Sequence, residues 1–209
     1  MRMHLKNEKF NKIITKKNLL IFLLSLIVVS ITVGILFYMS LPLDDKITSQ
    51  NKILAYFNGE LLDNNILINL KKSLSNNILS VLSIWILGIS VIGIFFILFL
   101  FFMKGFTLGF SITTIFAKFN LKGLLATIFY LFPDKLLSLF LVLYISYHSL
   151  CFSYKLLTFL FIDRDINIHI ALRKYLKTLV IGLVISIIIS IMEVFITPFV
   201  LKTFTNFIK

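Results

Sequence analysis

Apolar residues along the chain fall into long runs separated by short polar breaks, with none of the alternation of a half-buried strand. The first run, Leu19 to Leu41, is 23 residues long. As a helix it extends about 35 Å, enough to cross a hydrocarbon core of about 30 Å. It ends in Phe-Tyr-Met-Ser-Leu-Pro and lacks the short apolar core and small-residue cleavage site of a signal peptide, so it is expected to be an uncleaved first span. Residues 42–76 are the longest polar stretch, with apolar clusters at Ile53, Leu54, Tyr56, Phe57 and again at Ile66 to Leu70, the latter spaced like a short surface helix. A second span is expected at 77–102, closed by Lys104. The pattern then fragments into a short span at 105–117, a polar turn at 118–122 and a half-length re-entrant segment at 123–132 before Pro133. Full spans follow at 136–162 and 178–197, divided by a polar linker, and a short tail closes the chain at 202–209.

Charge orients these spans. Residues 1–18 form a basic segment with six Lys or Arg, and the linker 163–177 carries Arg164, Arg173, Lys174 and Lys177. Both are expected on the cytoplasmic side. One membrane domain over 19–201 then has an all-α fold of about five transmembrane helices plus the re-entrant segment. Its amino end is cytoplasmic, and loop 42–76 and the carboxyl end lie outside.

Composition removes other classes. Apolar residues make up 59%, charged residues 14%, and mean hydropathy is +1.00. A soluble domain of 209 residues could not cover that much apolar surface. The net charge of +12 fits cationic loops at acidic headgroups, so membrane lipids and not nucleic acid are the expected partners. Cys151 is the only cysteine and the three histidines are scattered, so no metal site or intramolecular disulfide is expected. A nucleophile elbow, a phosphate-binding loop and an intramembrane Asp pair are all missing from the sequence, so no catalytic or cofactor-binding residue is expected and the chain is read as not an enzyme.

A few residues stand out against the apolar background. Glu193 is a carboxylate inside an apolar run, which makes it a candidate proton or substrate site. Placed five residues before Pro198, it reads first as a boundary Glu held by a neighbouring hydroxyl or amine, ahead of that site and of a packing or partner contact. Gly182, Ser186 and Ser190 recur every four residues on the same face, and Gly105 and Gly109 repeat the spacing; small residues at this interval let helices approach closely. Tyr144, His148, Cys151 and Lys155 share one helical stripe, either a polar pathway or a set of structural contacts.

The stretch from Asn76-Asn77 through Trp85, Gly88, Ser90 and Gly93, followed by Lys104-Gly105-Phe106-Thr-Leu-Gly109, resembles the stage II sporulation protein M family. Leu121-Lys122-Gly123, the lone Pro133 before a span, and Glu193-Val-Phe-Ile-Thr197-Pro198 are similar to the family in order and spacing. The resemblance implies a multi-pass membrane protein of the mother cell in spore-forming bacteria, acting when septal peptidoglycan is thinned during forespore engulfment. It further implies a scaffold that recruits the wall hydrolase known as stage II sporulation protein P and, through it, stage II sporulation protein D. On the outer loop, Tyr56 and Phe57 are the candidate partner-docking residues. A transporter or channel subunit using the broken 105–132 segment and Glu193 is the alternative.

Overall fold

A computed structural model of the chain describes residues 16–57, 65–120, 135–161 and 168–208. Every element there is helical: α1 Lys16–Ser40, α2 Leu43–Phe57, α3 Ile66–Gly88, α4 Gly93–Phe119, α5 Leu136–Phe161 and α6 Ile168–Ile208. Four of these, α1, α4, α5 and the Ile168–Ile196 part of α6, are long and apolar enough to cross a membrane. With them the described residues form an all-helical membrane domain.

Helix α1 is apolar on every side and uses one narrow stripe for packing. Leu23, Ser30, Gly34 and Tyr38 are buried, while Val28, Val29 and Leu36 remain more than half exposed to the surroundings. The stripe lies against α4, and the two helices run parallel. Gly105 abuts Ser30 and Ile27, Gly109 abuts the Ile31 carbonyl, and Gly34 abuts the backbone at Phe106 and Phe110. Backbones this close are possible only where no Cβ intervenes.

Helices α3, α5 and α6 form the other half. Antiparallel α3 and α6 are joined from Ser73–Glu193 through Asn77–Ser190 to Trp85–Tyr175. Helix α5 runs with α3, so that Ser149 and Ser153 meet Gly88. Leu23, Ile84, Ile97, Phe101, Val142 and Ile145 belong to one apolar core that unites the halves. Lys17, Lys155, Arg173, Lys174 and Lys177 all lie toward one end of the bundle. Helix α2 caps the other end: it packs on α4, Gln50 donates to the Tyr38 hydroxyl at 3.0 Å, and Lys46 donates to the Met39 carbonyl at 2.9 Å.

The structure departs from the hydropathy pattern in several places. Residues 77–102 are not one span, because α3 ends at Gly88 and α4 begins at Gly93. The turn between them, Ile89-Ser90-Val91-Ile92, is apolar enough to be invisible to hydropathy. The chain reverses there because the Ile89 and Ser90 N–H groups tighten onto the carbonyls of Ile86 and Leu87, both at 3.1 Å. The Ser153 hydroxyl holds the carbonyls of Gly88 and Ser90 at 2.9 and 2.7 Å. Residues 105–117, expected as a short span, are the second half of the 27-residue α4. The cluster at Ile66 to Leu70 is the first turn of α3, capped by the Asn65 side chain, which accepts from the Leu67 N–H at 3.0 Å. The linker before residue 178 is helical from Ile168, with Tyr175 and Thr178 buried. Pro198 does not stop α6, which continues through it to Ile208. The re-entrant segment 123–132 and Pro133 lie outside the described residues.

Candidate functional site

Two polar assemblies interrupt the apolar bundle. The first is a clasp around the α3–α4 turn. The Trp85 indole N–H donates to the Tyr175 carbonyl at 3.3 Å, and the Tyr175 hydroxyl donates to the Trp85 carbonyl at 2.7 Å. The Tyr175 oxygen is also hydrogen-bonded to Ser149 at 2.8 Å. The Tyr175 ring is stacked between Trp85 and Phe152, with centroids 5.3 and 4.3 Å away. Gly88 lies beneath the Tyr175 hydroxyl, where a Cβ would collide with it and approach Ser149 to 2.8 Å. Gly93 faces the Leu87 carbonyl. Trp85, Gly88 and Gly93 thus serve one corner, which fastens the α3–α4 hairpin to α5 and α6.

The second assembly lies nearer the α2 end. Ser186 and Ser190 are fully buried, and Gly182, on the same face, packs on Ile145 and Val81. The Asn77 amide donates to Ser190 Oγ at 2.9 Å and reaches Ser73 Oγ at 3.5 Å, and the Ser73 hydroxyl donates to the Glu193 carboxylate. This ladder opens into a cavity of about 430 Å³ whose polar walls include Asn76, Asn77, Lys104, Ser111, Lys135 and Glu193.

Lys104 is where the structure most changes the expectation. Hydropathy makes it the closing residue of a span; in the structure it lies eleven residues into α4, about 16 Å from the start of that helix. Its neighbour Gly105 meets α1 at Ile27 and Ser30, in the middle of the apolar run of α1. A charge at such a depth costs about 2.5–3.5 kcal/mol on insertion scales and is tolerated when it faces polar groups or water. Here it faces the cavity that Glu193 and the two asparagines share. The described polar walls bring two lysines, one carboxylate, and amide and hydroxyl groups around one cavity within the apolar bundle.

Other sequence candidates stay apart from the cavity. Gly105 and Gly109 serve the α1 contact on the same helix. His148 touches Tyr144 and Tyr147 edge-on at 4.7 and 5.3 Å, and with Cys151 it is only half-buried, while Lys155 is exposed; of this stripe Tyr144 packs against the core. Tyr56 and Phe57 are the last two residues of α2, and their side chains lie outside the described residues. Pro198 is half-buried within α6. Sequence reasoning missed Ser73, Ser149, Ser153 and Tyr175 as members of these assemblies. The available signal was helical spacing, Ser73 with Asn77 and Ser149 with Ser153 each four residues apart, since polar residues recurring inside apolar runs need partners.

No curated relative and no solved structure matches the chain significantly. The family comparison does give a result: stage II sporulation protein M matches residues 19–198, a range that takes in the α3–α4 clasp, the α1–α4 glycine contact and the Ser73–Glu193 ladder. On that match across most of its length, the chain belongs to the stage II sporulation protein M family, and it is a sporulation-related membrane protein.

Proposed function

We propose that this protein is a membrane platform, without chemistry of its own, that gathers peptidoglycan-degrading enzymes at the septal membrane of the mother cell during engulfment. Family membership supports sporulation as the wider process in which this reading is set. The observation that supports a platform is α2, a helix held against one end of the bundle by its bonds to Tyr38 and Met39 and its packing on α4. Its outer side exposes Leu43 and Ile47 beside Asp44 and Asp45, a small apolar patch with a charged rim. A fixed surface of this kind raises the local concentration of a bound partner at one place. Stage II sporulation protein P, and through it stage II sporulation protein D, are the partners this reading implies.

The proposed topology has five crossings, α1, α3, α4, α5 and α6, in alternating direction. The basic end is cytoplasmic, and α2 and the carboxyl end are outside. Helix α3 is the most polar of the five and crosses because α4, α5 and α6 surround it.

Co-purification of the wall hydrolases from sporulating cells, with the intact chain and with Leu43–Phe57 removed, tests the platform. Capture by the intact chain and loss without α2 is the expected result. Tyr56→Ala with Phe57→Ala should leave the protein in the membrane and disperse the hydrolase from the septum. Release of peptidoglycan fragments by the purified protein alone would overturn the non-enzymatic reading. The cavity at Lys104 and Glu193 favours transport as the second reading. Solute flux in liposomes that Glu193→Gln abolishes would establish that reading instead.

A further inference from the structure

The basic end of the bundle carries two features that do not belong together in water. One is a set of exposed cations, Lys17 on α1, Lys155 on α5, and Arg173, Lys174 and Lys177 on α6. The described carboxylates, Asp44, Asp45 and Glu193, belong to the opposite half of the bundle. Even with Asp163 and Asp165 counted, which lie outside the described residues, the chain from 155 to 177 has five cations against two acids. The other feature is the α3–α4 turn, level with these cations because Gly88 lies beneath the Tyr175 hydroxyl and Ser153 holds the turn two residues before Lys155. A turn at the end of a hairpin is ordinarily polar, yet Ile89, Ile92 and Phe95 are all exposed here.

The backbone of the turn is paired from within the protein. The N–H groups of Ile89, Ser90, Ile94 and Phe95 donate to the carbonyls of Ile86, Leu87, Val91 and Ile92, and the Ser153 hydroxyl takes up those of Gly88 and Ser90. Irregular backbone meets lipid only when its polar groups are satisfied in this way. The exposed apolar side also continues from Ile92 and Phe95 through Phe96 and Phe99 along α4, so the medium that covers the spanning face of α4 reaches the turn. On α6 the cations stop at Lys177, and Val180, Ile181 and Val184 form the exposed side beyond them. We propose that the basic end is a docking surface for anionic phospholipid: the α3–α4 turn inserts among the acyl chains of the adjoining leaflet, and the surrounding cations hold the phosphates of anionic lipids. Their long stems can lie along the apolar surface while the charged heads reach the headgroups. An acidic soluble partner would match the cations but leave the apolar side of α4 to be covered by something else.

Two measurements on the full chain test the proposal. In a Cys151→Ser background, Ile92→Cys should resist a water-soluble thiol reagent in permeabilised membranes and react once the protein is denatured, whereas Lys174→Cys should react in both. Trp85, the only tryptophan, lies one turn from the α3–α4 reversal and reports the lipids beside it. The protein is placed in vesicles of equal phosphatidylglycerol and phosphatidylcholine, with one or the other brominated on its acyl chains near the headgroup. The quenching curves should give phosphatidylglycerol a relative association about five-fold above phosphatidylcholine, the factor that one cation supplies near an anionic surface. Arg173→Gln with Lys174→Gln and Lys177→Gln should bring that ratio close to one, and Lys71→Gln with Lys72→Gln, at the opposite end of α3, should leave it unchanged. If the triple variant does not accumulate, the comparison of the two lipids on the unaltered chain decides alone. Labelling of Ile92→Cys as fast as Lys174→Cys would place the turn in water and overturn the proposal. Equal quenching by the two lipids, or a preference that survives the triple substitution, would overturn it as well.

Discussion

Gly109 offers the sharpest test of how the bundle is held together. A Cβ placed there would collide with the Ile31 carbonyl oxygen and lie 2.9 Å from both the Ile31 carbonyl carbon and its Cα. Ordinary carbon contacts begin near about 3.5 Å, so α1 and α4 would separate by roughly 0.6 Å or more at that point. No side-chain rotation relieves the clash, because every atom met is backbone. The same pair of helices is pinned at Gly34 and Gly105, so displacement at one glycine strains the other two contacts. Overpacking of this kind costs about 1–3 kcal/mol, and Gly109→Ala should fall near the middle of that range, with Gly109→Leu beyond it. For a chain of this size about 2 kcal/mol lowers Tm by about 4–8 °C. Thermal unfolding of the purified protein in detergent measures the shift, and abundance in the membrane provides the cellular readout. Gly182→Ala is the internal comparison. There the added Cβ meets the Ile145 Cδ1 end and Val81 Cγ1 at 3.2 Å, flexible groups that can move, so the loss should be under about 1 kcal/mol. If Gly109→Ala is as stable as the parent, or Gly182→Ala is the more damaging of the two, the close-backbone argument is wrong.

Tyr175→Phe removes the hydroxyl that donates to the Trp85 carbonyl and bonds to Ser149, and should cost about 1–2 kcal/mol in thermal unfolding while leaving the ring stack in place. In a Cys151→Ser background, a cysteine replacing exposed Thr48 should react with an impermeant thiol reagent in intact cells, and one replacing exposed Lys174 should react only after permeabilisation; the reverse pattern refutes the orientation. Asn77→Leu leaves Ser190 and Ser73 without their amide partner and should destabilise by up to about 1.7 kcal/mol, more than Glu193→Gln, which keeps an oxygen for the Ser73 hydroxyl.

Length and hydropathy were enough to locate α5 to within one residue and α1 to within three, because each is a single apolar run bounded by polar residues. They failed at residues 89–92, where the chain reverses through Ile-Ser-Val-Ile. A turn whose polar groups are satisfied by Ser153 from a distant helix has no local polarity to betray it. The same failure misplaced Lys104. Once 77–102 is taken as one span, a lysine at 104 reads as the end of it; divided at Gly88, the chain carries that lysine into the middle of the next helix. Proline gave the opposite error at Pro198. Its missing N–H and its effect on the preceding residue argue for a helix end, yet α6 runs on, an outcome common in membrane helices, where neighbouring groups re-satisfy the freed carbonyl. The small-residue spacings marked which faces approach closely, but spacing alone does not say which helix meets which.

The two packing systems of the bundle suit different tasks. Contact between α1 and α4 is made by backbone against backbone at Gly34, Gly105 and Gly109, and has little freedom to slide. Helix α2 is fastened to this pair, through Tyr38 on α1 and through packing on α4, so its position is set by the close-packed backbones. By contrast, α3 and α6 are joined near the cavity by side-chain hydrogen bonds among Ser73, Asn77, Ser190 and Glu193. Such bonds average only about 0.6 kcal/mol each in membranes, and exchanging them for bonds to water costs little. The cavity therefore opens where the bundle can adjust, and the outer helix is mounted where it cannot. Substitutions at Gly34, Gly105 or Gly109 should therefore disturb the seat of α2, whereas substitutions in the Ser73–Glu193 ladder should leave it in place.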